Sequence, residues 1–138
     1  MAARRVQNVQ IERSADEILA LKEASLEAHA INQSAATVYD LCDGNTSKSE
    51  MAAEIHRRTG LPADDEIVDL ALAELVDAGL VVLDDPESQS SGTRRALIRR
   101  LALSSTLALM LPVVETVVVP AEALVNAPKS PSPTPTLL

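Results

Sequence analysis

The chain has 138 residues, a length typical of one domain with a tail, and its single aromatic residue, Tyr39, favours small helices over a large β-sandwich. The charge is uneven: residues 1–87 carry seven Lys/Arg against eighteen Asp/Glu, whereas residues 88–138 carry five against two. Because nucleic-acid affinity rests largely on Lys and Arg, the acidic first half disfavours DNA or RNA as a partner.

The N-terminal part of the chain predicts up to three short β-strands within residues 6–31, separated by polar breaks at residues 14–16 and 22–25. The last of them covers residues 26–31. Strand alternation would place Leu26, Ala28 and Ala30 on one face and Glu27, His29 and Ile31 on the other.

Two helices are predicted to follow the strands. Asn32 is a suitable N-cap for the first helix, which we expect to end at Gly44, after Asp43. Ser47 and Glu50 form a capping-box pattern at the start of the second helix, which should run to about residue 59 and stop at the glycine that follows.

A third helix is predicted from Pro62, which suits a first turn, followed by an acidic run at residues 64–66 beside the positive end of the helix dipole. Its apolar positions form an arc wider than one buried face needs, which indicates that something apolar docks on the second flank. Gly79 ends the helix, and residues 80–83 are expected to add a short strand.

The C-terminal part begins with a polar linker at residues 86–93 and continues as a basic, hydrophobic segment at residues 94–123, predicted to be helical. Residues 101–119 are mostly apolar, interrupted by serines, threonines, Pro112 and Glu115. Possible membrane contact, with tethering to the inner face of the membrane, is one interpretation; an amphipathic helix packed on the domain or on a partner is the other. Residues 93–99 also resemble a twin-arginine export motif, and residues 121–123 a signal-peptidase site. Residues 124–138 are rich in Pro, Ser and Thr and are expected to be disordered.

Three short motifs resemble the PqqD-like family of peptide chaperones. Residues 31–36 are similar to the family's Leu-Asn-x-Thr-Ala-Ala start of the first helix, residues 39–44 to the end of that helix, and residues 78–81 to the closing turn. The similarity covers about residues 9–83, the domain being placed at residues 1–85. The motif positions with an expected structural role are Asn32, Ala35, Ala36, Asp43, Gly44 and Gly79.

The resemblance implies an α+β, small winged helix-turn-helix-like domain that captures the leader of a ribosomally made precursor peptide for a modifying enzyme, often a radical-SAM maturase in natural product biosynthesis. The leader would add as a strand to the sheet edge and lie against the third helix. On this chain the edge is Leu26, Glu27, Ala28, His29 and Ala30, and the helix wall is Ile67, Leu70, Ala73, Glu74 and Asp77.

No residue is expected to perform catalysis or to bind a metal or cofactor. His29 and His56 are not spaced as metal ligands with Cys42, and each is expected to be solvent-facing or partly buried. Cys42, the only cysteine, excludes an internal disulfide and fits a cytoplasmic protein.

Two alternatives to the adaptor remain open. One is a winged-helix DNA-binding regulator formed by residues 47–78, although its recognition helix would carry six acidic residues and no Lys or Arg. The other is a membrane-tethered assembly protein that acts through its C-terminal helix.

Overall fold

A computed structural model describes residues 2–22, 25–84 and 94–118, which form a mixed α+β structure of antiparallel strands followed by helices, as predicted. The predicted linker at residues 86–93 and tail at residues 124–138 lie outside the described residues. The strands are β1 (Ala3–Arg5), β2 (Val9–Ser14), β3 (Glu17–Lys22), β4 (Glu27–Ile31), β5 (Val81–Leu83) and β6 (Val114–Val118). The helices are α1 (Gln33–Asp40), α2 (Lys48–Thr59), α3 (Asp65–Asp77), α4 (Arg94–Leu101) and α5 (Ser105–Leu109).

The N-terminal strands confirm the predicted pattern of strands and breaks. β2, β3 and β4 form an antiparallel meander, with the β2–β3 turn at Ala15 and Asp16. Leu26 precedes β4 with a left-handed backbone (φ 56°) and is outside the strand pairing. β5 was predicted, but its partner β1 was not; together they form a separate two-stranded sheet.

The helix starts follow their capping residues. Asn32 Oδ1 accepts the backbone N–H of Ala35 (3.2 Å), and Ser47 and Glu50 form the predicted capping box. The prediction that Pro62 lies in the first turn of α3 was wrong. Asp64 accepts the N–H of Glu66 (2.8 Å) and caps the helix, so the ordered turn begins three residues later.

The core lies between the meander and helices α1–α3 and is built from aliphatic residues and small alanines. Its fully buried larger side chains include Ile31, Val38, Met51, Ile55, Leu61, Ile67, Leu72, Leu75 and Leu80. Leu97 and Leu111, from residues 94–118, are buried in the same cluster. Residues 94–118, called the C-terminal segment from here on, therefore pack on the domain.

The prediction of one continuous helix over residues 94–123 was wrong for the described part, because the C-terminal segment forms α4, α5 and β6. Ala102 ends α4 with a left-handed backbone (φ 52°), and Ser104 caps α5. Pro112 follows α5 and cannot donate a helical hydrogen bond. Among the described residues, every helix lacks the length and apolar character needed to cross a membrane.

The sheet order is β2-β3-β4-β6, so β6 occupies the side of β4 that the sequence led us to expect open. That expectation of a vacant edge was wrong. On the apolar flank of α3 that was predicted to attract a docked element, Val68 and Leu72 are fully buried in the core and Val76 is 37% exposed.

Candidate peptide-binding cleft

The candidate site is the cleft between β4 and α3, where β6 adds to β4 as an antiparallel strand. Five residue pairs form the ladder, from Ile31 opposite Val114 to Glu27 opposite Val118. Just before it, Asn32 N donates to Val113 O (3.3 Å). Because hydrogen-bonded and non-hydrogen-bonded pairs alternate in antiparallel sheets, the N–H groups of Ala28 and Ala30 point toward β6. These two donors are the edge that an added strand uses.

Asn32 connects the start of α1 to the C-terminal segment. Its Oδ1 atom caps α1 and also accepts the N–H of Val113 (3.1 Å). Its Nδ2 group donates to Leu111 O (2.9 Å), and the buried Ser34 hydroxyl donates to Met110 O nearby. The same amide thus stabilises a helix start and holds two backbone groups of an extended segment.

α3 forms the opposite wall through Glu74. Glu74 Oε1 accepts the N–H of Val114 at 2.9 Å. Val114 is a non-hydrogen-bonded position opposite Ile31, so this N–H points away from β4 and would otherwise lack a partner from the ladder. An extended segment in the cleft is therefore contacted from the strand on one side and from the helix on the other.

Charged contacts hold the first half of the C-terminal segment. Arg100 donates to Asp64, at the N-terminus of α3, and lies at the same distance of 2.9 Å from Glu66. Burial alone would raise the pKa of Asp64, but hydrogen bonds from Arg100 and from the Glu66 N–H lower it. Arg94 donates to Pro112 O within the segment. The acidic start of α3 thus recognises a basic residue.

His29 lies at the centre of the ladder and is fully buried, which corrects the expectation that it is solvent-facing or partly buried. Its Nδ1 atom is hydrogen-bonded to Thr116 Oγ1 (2.8 Å), and its Nε2 atom is 3.3 Å from Glu27 Oε1. Burial lowers the pKa of His29, and this effect outweighs the charge of Glu27, which acts in the opposite direction. A neutral imidazole therefore fits this position.

The predicted wall residues do not all face the cleft. Glu74 contacts the C-terminal segment, as described above, whereas Ile67 is fully buried in the core and Leu70 is half-buried against it. Ala73 and Asp77 are exposed on α3.

The other motif positions are structural. Ala35 and Ala36 are buried in α1 as part of the core. Asp43 Oδ1 accepts the N–H groups of Asn45 and Thr46, which forms the turn after α1 and lowers the pKa of Asp43. Gly44 and Gly79 have φ values of +87° and +75°, a region that L side chains rarely adopt.

Cys42 is buried, and burial raises the pKa of its thiol to about 12. It is therefore a core residue, since a nucleophilic cysteine needs a lowered pKa. Within residues 2–22, 25–84 and 94–118, His, Cys, Asp and Glu form no group that could hold a metal ion.

Comparison with protein families identifies residues 13–81 as a match to the family described as coenzyme PQQ synthesis protein D, PqqD. The chain belongs to the PqqD family. PqqD-family proteins are peptide-binding accessory proteins that act with a modifying enzyme. Comparisons with curated proteins and with solved structures gave no match.

The PqqD match ends before the C-terminal segment begins. Residues 13–81, called the family unit from here on, contain β3, β4 and α1–α3. Both walls of the cleft therefore belong to the family unit. The strand that fills the cleft, β6, lies outside it. In this PqqD-family chain the occupant is thus an addition to the matched domain.

Sequence reasoning missed the residues through which the C-terminal segment binds: Leu97, Arg100, Leu111, Val114 and Thr116. One signal was present. Six of the seven residues from 113 to 119 are β-branched, a composition typical of strands. The length of the apolar run outweighed that signal and led to the helix prediction.

Proposed function

We propose that the chain is a non-catalytic adaptor that binds the leader of a ribosomally made precursor peptide by strand addition in the cleft and presents it to a modifying enzyme, of the radical-SAM type. The observation that carries the proposal is that the cleft accommodates an extended segment, β6, between β4 and α3. Family membership supports the same role. The lone, buried Cys42 is compatible with a reducing, cytoplasmic setting.

Affinity and selectivity for the leader would come from two different kinds of contact. The N–H and C=O groups of Ala28 and Ala30 bind any extended backbone, so they supply affinity with little selectivity. Selectivity would come from the acidic groups Asp64 and Glu66, which favour peptides with a basic residue ahead of the strand. Glu74 accepts a backbone N–H and therefore adds affinity.

A proline at the edge of β4 tests strand addition. Ala30→Pro removes an N–H that points toward the bound strand and leaves the β3 ladder intact, because Ala30 is a non-hydrogen-bonded position toward β3. Ala30→Ser is the matched control, since it keeps the N–H at the same exposed site.

Labelled leader peptides encoded beside this gene would be titrated against the full chain and both variants, with thermal melts to check folding. We expect saturable binding that Ala30→Ser retains and Ala30→Pro loses. Absence of saturable binding to the full chain, with and without the modifying enzyme, would contradict the proposal.

The radical-SAM assignment needs its own experiment. The enzyme encoded beside this gene would be purified with its iron–sulfur cluster and given precursor peptide with the chain, without it, or with Ala30→Pro. Mass spectrometry should show modification that depends on the wild-type chain. Equal modification in all three reactions would contradict the adaptor role.

A further inference from the structure

The C-terminal segment is held in the cleft by the types of contact that a foreign leader would use. Backbone pairing with β4, the Glu74 bond to Val114 and the Arg100 contacts with Asp64 and Glu66 all involve cleft residues of the family unit. A second extended peptide cannot form the β4 ladder while β6 is present, because each backbone N–H of Ala28 and Ala30 is directed at one neighbour.

We propose that the C-terminal segment is a built-in ligand of the cleft, which a precursor leader of similar pattern must displace. This inference rests on the proposed function and adds to it both a regulation and a substrate class. The substrate is a leader with a basic, amphipathic helical turn, an apolar anchor and then a β-branched strand. Arg100, Leu111 and residues 113–118 show that pattern in the resident segment.

Three observations favour an exchangeable ligand over a fixed part of the fold. The match to the PqqD family ends at residue 81, so the residues of both cleft walls lie outside the segment. The outer part of β6 is open to solvent, with Val117 and Val118 exposed by 62% and 67%. Charged contacts at Arg100 are also solvent-exposed, and exposed ion pairs are individually weak.

The chain connection makes the resident segment a strong competitor. Residues 85–93 join it to the domain. A short connection gives an effective concentration of about 1 mM, so a segment whose own Kd is about 1 µM would raise the apparent Kd of a foreign peptide about a thousandfold. Weakening the segment should therefore tighten the binding of peptides added in solution.

The first test weakens the occupant without altering the cleft. Arg100→Glu places a negative charge against Asp64 and Glu66, while Arg99→Glu makes the same charge change at a neighbouring exposed position. The probe is a fluorescent synthetic peptide of residues 94–118. We expect it to bind the Arg100→Glu chain roughly two- to thirtyfold more tightly than the wild-type or Arg99→Glu chain. Equal affinity for all three would overturn the inference.

The second test locks the occupant. Glu27 and Val118 form a non-hydrogen-bonded pair, whose Cα atoms typically lie about 4.5 Å apart, within the span of a disulfide. The double variant Glu27→Cys with Val118→Cys would be compared oxidised and reduced, and the buried Cys42 should not interfere. With Arg100→Glu added to weaken the segment, the peptide should bind the reduced form and be excluded from the oxidised form. Equal binding to both would place the peptide elsewhere and overturn the inference.

The outcomes separate this inference from the proposed function. Suppose that precursor leaders bind, and that neither Arg100→Glu nor the disulfide changes their affinity. The adaptor function would then stand, and the proposal of a built-in ligand would be refuted. Suppose instead that the 94–118 peptide binds the Arg100→Glu chain, and that no leader binds any variant. The proposal of a built-in ligand would then stand, and the adaptor function would be refuted.

Discussion

The amide of Asn32 offers the sharpest test of how the C-terminal segment is held, because its contacts with the segment can be removed while its capping contact is kept. Ser and Asn are about equally good N-caps, but Ser lacks the amide group that donates to Leu111 O, and its shorter side chain cannot cap α1 and reach Val113 at the same time. Asn32→Ser therefore keeps the cap and removes the two bonds to the segment, whereas Asn32→Ala removes all three.

The expected magnitudes follow from these contacts. Each bond to the segment contributes about 0.5–1.5 kcal/mol, so Asn32→Ser should lower the free energy of unfolding by about 1–3 kcal/mol. Loss of the cap costs about 1 kcal/mol more, so Asn32→Ala should lower it by about 2–4 kcal/mol. Gln33→Ser, at the neighbouring position, removes one side-chain hydrogen bond to Arg58 O and none to the segment, so it should lower the free energy of unfolding by about 0.5–1.5 kcal/mol and leave the segment in place.

Urea denaturation would measure the free energies, and hydrogen exchange would follow the Val113 amide, which donates to Asn32. We expect protection of that amide to fall in both Asn32 variants and to persist in Gln33→Ser. If Asn32→Ser matched the wild type in stability and in Val113 protection, the Asn32 side chain would act only as a helix cap. The role we assign to its bonds with Leu111 and Val113 would then be wrong.

Three further predictions concern burial. Leu111→Ala should lower the free energy of unfolding by about 2–5 kcal/mol in urea titrations, because a fully buried leucine is lost; a similar loss in Leu109→Ala, at an 83% exposed site, would contradict this. Burial holds the folded-state pKa of His29 below the usual histidine value of 6.5, so the unfolded chain binds more protons between those two values. Stability should fall as pH decreases from 7.5 through that window, and melts of His29→Gln should lack this component; an unchanged slope would refute the assignment. Cys42, with a thiol pKa of about 12, should resist a thiol reagent at pH 8 until urea unfolds the chain, and fast labelling of the native protein would contradict its burial.

The family unit was largely predictable because its signals are local. Capping by Asn32 and by Ser47 with Glu50 depends on residues three positions apart, so the sequence alone places the starts of α1 and α2. The strand breaks at residues 14–16 and 22–25 are likewise polar interruptions that any β-meander requires. The start of α3 was missed by three residues because Pro62 and Asp64 both suit a helix start, and propensity does not decide between them.

Candidate site residues were predictable in part, and the division follows the range of the interactions. Strand β4 and Glu74 came from the family resemblance and lie in the cleft, whereas Ile67 belongs to the core. Helix periodicity gives a stripe of residues but not which neighbour covers each one. Burial of Ile67 and of His29 depends on distant elements packed against them.

The sequence by itself determined the family, the mixed α+β class and the capped helices, since these rest on contacts between residues close in the chain. Only the tertiary structure decided what residues 94–118 do. Their apolar run is compatible with a helix or a strand, and the choice was made by unpaired N–H groups on β4 and an acceptor at Glu74, which are supplied by residues 40 to 90 positions away. An unpaired strand edge stabilises any extended segment that reaches it. Which two segments will pair therefore cannot be predicted from the local sequence of either one.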